Sequence, residues 1–179
     1  MFLTYINELL VELSKYSITV TASADDVKMY LQILDDLDVQ RLQLAVNVLC
    51  QWATAWHLSI SPNTCCVLNV GKSVCDVSIS INDGIVPVVE SARDLGVLIT
   101  KSLSPSVYIN DVVSRSNQRA AATLRAFVSR DVRLLMRASV TYVRPIVEYN
   151  SSIWSPSSVG DIKSVERVQR RFTKRLPGL

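Results

Sequence analysis

The sequence has few of the residues that build metal sites and disulfide frameworks, with four cysteines and one histidine in 179 residues. Cys50, Cys65, Cys66 and Cys75 lack the paired C-x-x-C spacing of a zinc site, and His57 alone does not complete one. Cys65 and Cys66 are adjacent in an expected strand, so their side chains point to opposite faces. We interpret the cysteines as buried, reduced thiols rather than metal ligands or disulfides.

Glycine and proline are also scarce, at five and six residues, and this composition argues against a disordered chain. No apolar run approaches the ~18 residues of a membrane span. The apolar N-terminal stretch is interrupted by acidic residues and has no basic segment before it, which argues against a secretory signal. We therefore expect an intracellular protein, in the nucleus or cytoplasm, that is neither secreted nor inserted in a membrane.

Charge is distributed unevenly between the two halves of the chain. Residues 1–100 have five Lys/Arg against eleven Asp/Glu, a net of −6, whereas residues 101–179 have fourteen against five, a net of +9. Such asymmetry is typical of a protein with a basic face for a polyanion beside an acidic face for a metal. The alternative is a set of ordinary solvated helix faces.

The most informative stretch is SITVTASADDVKMYL at residues 17–31. A β-branched run leads into Asp25 and Asp26, and alternation of Val27, Met29 and Leu31 leads out, which predicts a hairpin with both carboxylates at its tip. Hard oxygen ligands on a short turn suit Mg²⁺. Taken alone, however, an Asp-Asp pair favours a solvated turn with two surface acids over a metal site.

Hydrophobic spacing predicts an α+β chain. Three-four spacing predicts helices over residues 2–15, 35–58, 106–128, 131–143 and 158–175. Period-two runs predict strands over residues 65–70, 77–81, 85–89 and 93–100, with a turn at residues 82–84 and an edge strand at Pro87. The helix of residues 35–58 has an apolar stripe that ends in Trp52 and Trp56, and we expect this stripe to pack in the core. The boundary between the two regions is expected near residues 101–104.

Several strings occur in one order along the whole chain. They are FLTYINEL at 2–9, ADD at 24–26, LGV at 95–97, YVRPIVEY at 142–149 with IWSP at 153–156, and VQRRFTK at 168–174. This ordered set resembles the reverse transcriptases of non-LTR (LINE-type) retrotransposons, most closely the jockey-like branch.

The resemblance implies an RNA-directed DNA polymerase. Residues 1–100 would form a partial palm, with antiparallel strands and helices on one face, and residues 101–179 a basic, all-helical thumb. Asp25 and Asp26 would be catalytic and would hold Mg²⁺ (or Mn²⁺), while Leu95 and Gly96 would form the primer grip, a small hairpin. The partners would be an RNA template and a DNA primer. The residues expected to contact the nucleic-acid backbone are Arg115, Arg119, Arg167, Arg170, Arg171 and Lys174.

The sequence also departs from this family. The other catalytic carboxylate and the Pro-Gln-Gly motif of the family are missing, so the palm would be incomplete. Ser23 stands where the family has an aromatic residue, and Thr64 stands where it has a lysine that can protonate pyrophosphate. A truncated palm sheet would expose an edge, which predicts self-association through that edge.

Three functional hypotheses remain at this point. The chain is a polymerase segment that is active only within a longer parent, or a catalytically dead remnant that binds nucleic-acid backbone. The third hypothesis is a small α+β interaction domain without a nucleic-acid role, which would be favoured if the arginines scattered around their helices.

Overall fold

A computed structural model describes residues 2–72, 76–82 and 84–176, with side chains described from residue 5 onward. The chain divides into two compact units, Met1–Glu90 and Ser91–Leu179. The division between the units therefore falls about ten residues earlier in the chain than the expected boundary at residues 101–104. The reason is that the hairpin that starts at Ser91 packs with the helices that follow it.

In the first unit, residues 2–72, 76–82 and 84–90 form two helices and six strands, with one short 3-10 turn. Its elements are α1 (Phe2–Ser14), β1 (Thr19–Ser23), β2 (Asp26–Tyr30), α2 (Asp36–Ala55), a 3-10 turn (Pro62–Thr64), β3 (Val67–Leu68), β4 (Ser80–Ile81), β5 (Gly84–Ile85) and β6 (Val88–Val89). The two helices and the β1–β2 hairpin agree with the sequence-based predictions.

The β1–β2 hairpin packs one face against both helices. Its register runs from Thr19 opposite Tyr30 to Ser23 opposite Asp26. Val27 and Met29 pack against the buried side chains of α1 and α2, so the predicted alternation along β2 is confirmed. The buried members of this core are Ile6, Leu9, Leu13, Ile18 and Ala45.

Helix α2 begins and ends at residues that satisfy its free backbone groups. The Asp35 side chain accepts a hydrogen bond from the Asp38 amide at 3.1 Å, which caps the N-terminus. At the other end His57 has a φ of 53°, and the amides of His57 and Leu58 donate to the carbonyls of Thr54 and Ala53. This left-handed stop ends the helix three residues before the predicted end at residue 58.

The predicted core role of the two tryptophans is only partly confirmed. Trp52 is half-buried against the core of the hairpin. Trp56 contacts the Tyr5 ring at a centroid distance of 4.3 Å, but 41% of it is exposed. Because α2 ends at Ala55, Trp56 lies at the rim of the apolar stripe rather than within it.

The later strands of this unit are shorter than predicted, and one pairing was wrong. β3 pairs with β6 in parallel, with Val67 opposite Val88, whereas we expected antiparallel strands throughout. Pro87 lies between β5 and β6, where its missing N–H interrupts the strand predicted over residues 85–89. β4 and β5 form the expected hairpin, although Asp83 of the predicted turn and Cys75 lie outside the described residues.

Cys50 and Cys65 are free thiols that are partly rather than fully buried, so their predicted burial is confirmed only in part. Burial raises the pKa of both thiols, so they stay protonated at neutral pH. Cys66 is a free thiol as well, but it is exposed, so its predicted burial was wrong. The strand that was expected to bury it begins only at Val67.

The second unit is a helical array with one hairpin. Its elements are β7 (Ser91–Asp94), β8 (Val97–Thr100), α3 (Ser106–Ala126), α4 (Val132–Tyr142), α5 (Arg144–Glu148), α6 (Ser151–Trp154) and α7 (Val159–Thr173). Side-chain caps begin two of the helices, since Asp131 accepts from the Arg133 amide and Ser158 from the Asp161 amide. The predicted helices of this region are confirmed, and Pro145 lies in the first turn of α5, where proline is tolerated.

Helices α3 and α7 run parallel and bury a common core. Near their N-termini, the Ser106 hydroxyl donates to the Asp161 carboxylate at 2.8 Å. Near their C-termini, Leu124 of α3 packs with Phe172 of α7 and with Leu135 of α4 in one buried cluster. This core fixes which faces of α3 and α7 remain available at the surface.

The chain is a mixed α and β protein, as the α+β prediction requires. In the described residues, the strands form four separate two-stranded pairs. No helix in the described ranges is long and apolar enough to cross a membrane.

Candidate nucleic-acid interface

The two predicted catalytic carboxylates lie at the tip of the β1–β2 hairpin, as the sequence indicated. Ala24 and Asp25 form the turn, with Ala24 in the left-handed region at a φ of 54°, and Asp26 is the first residue of β2. Both carboxylates are exposed. The turn therefore presents two adjacent acids to solvent, above a hairpin whose other end is anchored in the core.

These two acids do not make a complete metal site by themselves. Carboxylate oxygens have the chemistry that Mg²⁺ prefers. However, no group of three or more metal-ligating side chains occurs among residues 2–72, 76–82 and 84–176. A two-metal site needs carboxylates from separate strands to enclose both ions, and the described residues do not supply that set.

Thr64, which replaces the lysine expected from the resemblance, is engaged in local structure. It ends the 3-10 turn, and its hydroxyl donates to the Ser61 carbonyl at 2.9 Å. A hydroxyl that holds its own turn does not supply the cationic acid that a lysine would.

Leu95 and Gly96 form the turn of the β7–β8 hairpin. The prediction of one continuous strand over residues 93–100 was therefore wrong, whereas the small hairpin implied by the resemblance is present. Both turn residues have positive φ, 44° at Leu95 and 83° at Gly96, as a two-residue type I′ turn requires. Asp94 lies opposite Val97, which closes the hairpin directly behind the turn.

Tyr149 supports this turn, and the sequence analysis did not identify its role. Its hydroxyl donates to the Leu95 carbonyl at 2.8 Å. A Cβ added at Gly96 would lie 3.4 Å from Tyr149 Cε1, so the ring lies directly against the glycine. Tyr149 follows α5, 54 residues after Leu95, and only its place in the YVRPIVEY string could have drawn attention to it.

Two arginines beside the turn share one carboxylate. Asp111 Oδ2 lies 3.1 Å from Arg115 Nη2 and 3.7 Å from Arg93 Nη2. The Arg115 guanidinium also lies over the Tyr108 ring, at 5.9 Å from its centroid. Arg115, predicted to contact nucleic-acid backbone, is therefore held by its own helix and is less available for a phosphate than an unpaired arginine.

A cavity of about 420 Å³, open to solvent, lies beside the turn and is lined by residues of the hairpin, α3 and α5. Its lining residues are Arg93, Leu95, Gly96, Tyr108, Arg115, Pro145, Ile146 and Tyr149. The turn and Tyr149 therefore border the same cavity.

The basic residues of α7 share one exposed face. Arg167, Arg170 and Lys174 recur at three-four spacing, so they lie along one side of the helix. Val168 and Phe172, on the opposite side, are buried against α3. Arg170 pairs with Glu166 at 2.9 Å, and the pair is exposed, so this interaction contributes little to stability.

Arg171 lies beside this face, and Arg119 belongs to the neighbouring helix α3. Arg171 and Arg175 line a groove of about 360 Å³ between α7 and α3, whose floor includes Ala120 and Ala121. Arg119 is exposed on α3. Of the six residues predicted to contact nucleic-acid backbone, three therefore lie along one face of α7. Arg171 lies at the adjacent groove, and Arg115 forms an ion pair with Asp111.

Comparison with known proteins gives one relative. The chain is 25% identical over 135 residues to a Drosophila melanogaster protein described as "Probable RNA-directed DNA polymerase from transposon X-element". The match covers 72% of this chain but only 14% of that protein. No protein-family model matches the chain, and no solved structure matches it. The chain therefore has a distant, reverse-transcriptase-like relationship to a transposon polymerase.

Proposed function

We propose that this chain is a segment of a reverse transcriptase of the jockey-like, non-LTR type, and that it holds the backbone of an RNA template–DNA primer duplex. The observation that supports this proposal is the α7 face. Arg167, Arg170 and Lys174 are exposed along one side of α7, and Val168 and Phe172 fix the other side in the core.

Contact with phosphates, rather than base reading, suits these residues. Arginine and lysine on a long exposed helix face reach a regular array of phosphates, and such contacts position a duplex without reading its sequence. Arg171, at the edge of the α3–α7 groove, extends the same surface. Arg119 of α3 is a secondary contributor to duplex binding. Arg115 is also secondary, because it is paired with Asp111.

The two carboxylates of the β1–β2 hairpin are only part of the ligand set that a catalytic metal ion requires. Asp25 and Asp26 would hold Mg²⁺ or Mn²⁺ together with a carboxylate that the described residues do not supply. A complete set of ligands would hold ions whose chemistry is Lewis-acid activation of the primer hydroxyl and charge stabilisation of the leaving pyrophosphate. The contribution of this chain would be the exposed pair of oxygen ligands at the tip of the β1–β2 hairpin.

A second candidate function is supported by the same observations. Thr64 bonds to its own turn, and the carboxylates at the hairpin tip are incomplete, so the chain taken alone is a backbone-binding module without catalysis. Location in the nucleus or cytoplasm and self-association through a strand edge remain predictions.

The test of the proposed function is binding and primer extension on the same RNA–DNA template–primer duplex. With three to four phosphate contacts, we expect the logarithm of the association constant to fall with the logarithm of salt concentration at a slope of about −3. In the presence of Mg²⁺ the chain alone should not extend the primer. Absence of binding at 50 mM salt would contradict the proposed function, and extension abolished by Asp25→Ala would contradict the non-catalytic alternative.

A further inference from the structure

The YVRPIVEY and IWSP strings, at residues 142–149 and 153–156, are not explained by the proposed duplex contacts. In the structure the last residue of the first string, Tyr149, reaches the β7–β8 turn. The Tyr149 hydroxyl donates to the Leu95 carbonyl at 2.8 Å, and its ring lies against Gly96.

The turn needs such support because its backbone is unfavourable for leucine. Leu95 has a φ of 44°, in the left-handed region that L-residues with a Cβ avoid. A single hydrogen bond to the carbonyl of that residue fixes the orientation of the peptide that follows it. With this peptide fixed, the Leu95 side chain projects outward and is 52% exposed.

Tyr149 is in turn held by α3. Its carbonyl accepts a hydrogen bond from Trp154 Nε1 at 2.7 Å. Trp154 is buried and meets the Tyr108 ring of α3 edge to face, at a centroid distance of 5.9 Å. The hairpin tip, Tyr149, Trp154 and Tyr108 therefore form one chain of contacts that ends in the core of the unit.

Arg93 makes a second connection between the turn and α3. Arg93 Nη1 donates to the Gly96 carbonyl at 3.5 Å, and Arg93 Nη2 lies 3.7 Å from Asp111 of α3. This connection is longer than the Tyr149 bond, at 3.5 Å against 2.8 Å. The shorter Tyr149 bond is therefore the one expected to decide the geometry of the turn.

We propose that Tyr149 is a positioning residue that locks the β7–β8 turn onto α3, so that the hairpin tip meets a bound duplex as a rigid element. The role in duplex binding rests on the proposed function, whereas the locking of the turn does not. Tyr149 acts through Leu95 and Gly96 and needs no contact with nucleic acid itself.

The test substitutes Tyr149→Phe, which keeps the ring and removes the hydroxyl, and uses Tyr142→Phe as the matched control. Tyr142 is also half-exposed, and no hydrogen bond from its hydroxyl occurs among the described residues. We expect Tyr149→Phe to speed amide exchange in β7 and β8 roughly fivefold, with no change in the β1–β2 hairpin. We also expect it to weaken duplex binding while leaving the salt slope unchanged, because no phosphate contact is removed.

A second pair of variants tests the ring contact. Gly96→Ala places a Cβ against Tyr149 at a φ of 83°, whereas Gly71→Ala imposes similar strain at a φ of 82° with no atom within 4 Å. Gly96→Ala should speed exchange in β7 and β8 by roughly tenfold, and Gly71→Ala should leave these strands unchanged.

Each outcome decides part of the inference. Unchanged exchange in Tyr149→Phe would overturn the locking of the turn. Faster exchange with unchanged duplex affinity would overturn the positioning role. Failure of the unsubstituted chain to bind duplex would refute the proposed function separately, and the exchange measurements would still decide whether Tyr149 locks the turn.

Discussion

Replacing Arg167, Arg171 and Lys174 together by glutamine should make duplex binding much less dependent on salt. The slope of the logarithm of the association constant against the logarithm of salt concentration should become less negative by about 2.7, at about 0.9 per lost phosphate contact. Between 50 mM and 200 mM salt, the unsubstituted chain should then lose about 40-fold more affinity than the variant. Filter binding of one RNA–DNA duplex across a salt series measures both quantities. The fold should be retained because all three side chains are exposed.

The control removes the same charge from elsewhere in the unit. Arg125, Arg133 and Arg137 are exposed on α3 and α4, outside the proposed surface. Their replacement by glutamine should leave the slope close to that of the unsubstituted chain. Equal flattening in both triple variants would mean that net charge alone, and not the α7 face, determines binding.

Leu135→Ala should destabilise the second unit by about 2–5 kcal/mol, a large effect for one substitution. Leu135 is 0% exposed and packs with Leu124, Val143 and Phe172 where α3, α4 and α7 meet. Truncation leaves a cavity there and removes the contacts that hold α7 in place. Urea unfolding followed by circular dichroism measures the loss of unfolding free energy.

The neighbouring leucine is the matched control for this substitution. Leu134 is 37% exposed on the same helix, and Leu134→Ala should cost about 1 kcal/mol or less. Similar losses for the two variants would contradict the orientation of α4. Three-four spacing admits either leucine at the edge of the apolar stripe of α4, so the structure is needed to separate the two.

Helices and their N-terminal caps were the most predictable part of the fold. Asp35, Asp131 and Ser158 each precede an apolar periodic run, and each caps a helix in the structure. The β1–β2 hairpin was predictable for the same kind of reason, because its β-branched residues and alternation are local signals. Such features depend on neighbours within a few positions, which a sequence shows directly.

The β7–β8 turn was not predictable from its own residues. Leucine at a left-handed φ is unusual, and residues 93–100 have the apolar content of a single strand. The partner that stabilises the turn, Tyr149, lies 54 residues away. The parallel pairing of β3 and β6 was missed because strands of two residues have almost no sequence pattern.

The candidate interface was predicted in part. Spacing along α7 placed Arg167, Arg170 and Lys174 on one face, since helix periodicity and the buried Val168 and Phe172 determine it together. The ion pair between Arg115 and Asp111 was not predicted, although an acid four residues before an arginine is a standard ion-pair signal on a helix.

Arginine-specific modification of the full chain, with and without an RNA–DNA duplex, tests the central claim most directly. Phenylglyoxal labelling read by mass spectrometry reports each guanidinium separately. We predict that bound duplex protects Arg167, Arg170 and Arg171 and leaves Arg133 and Arg137 as reactive as in the free chain. Protection of Arg133 and Arg137 instead, or equal reactivity at every site with duplex bound, would contradict the assignment of α7 as the nucleic-acid interface.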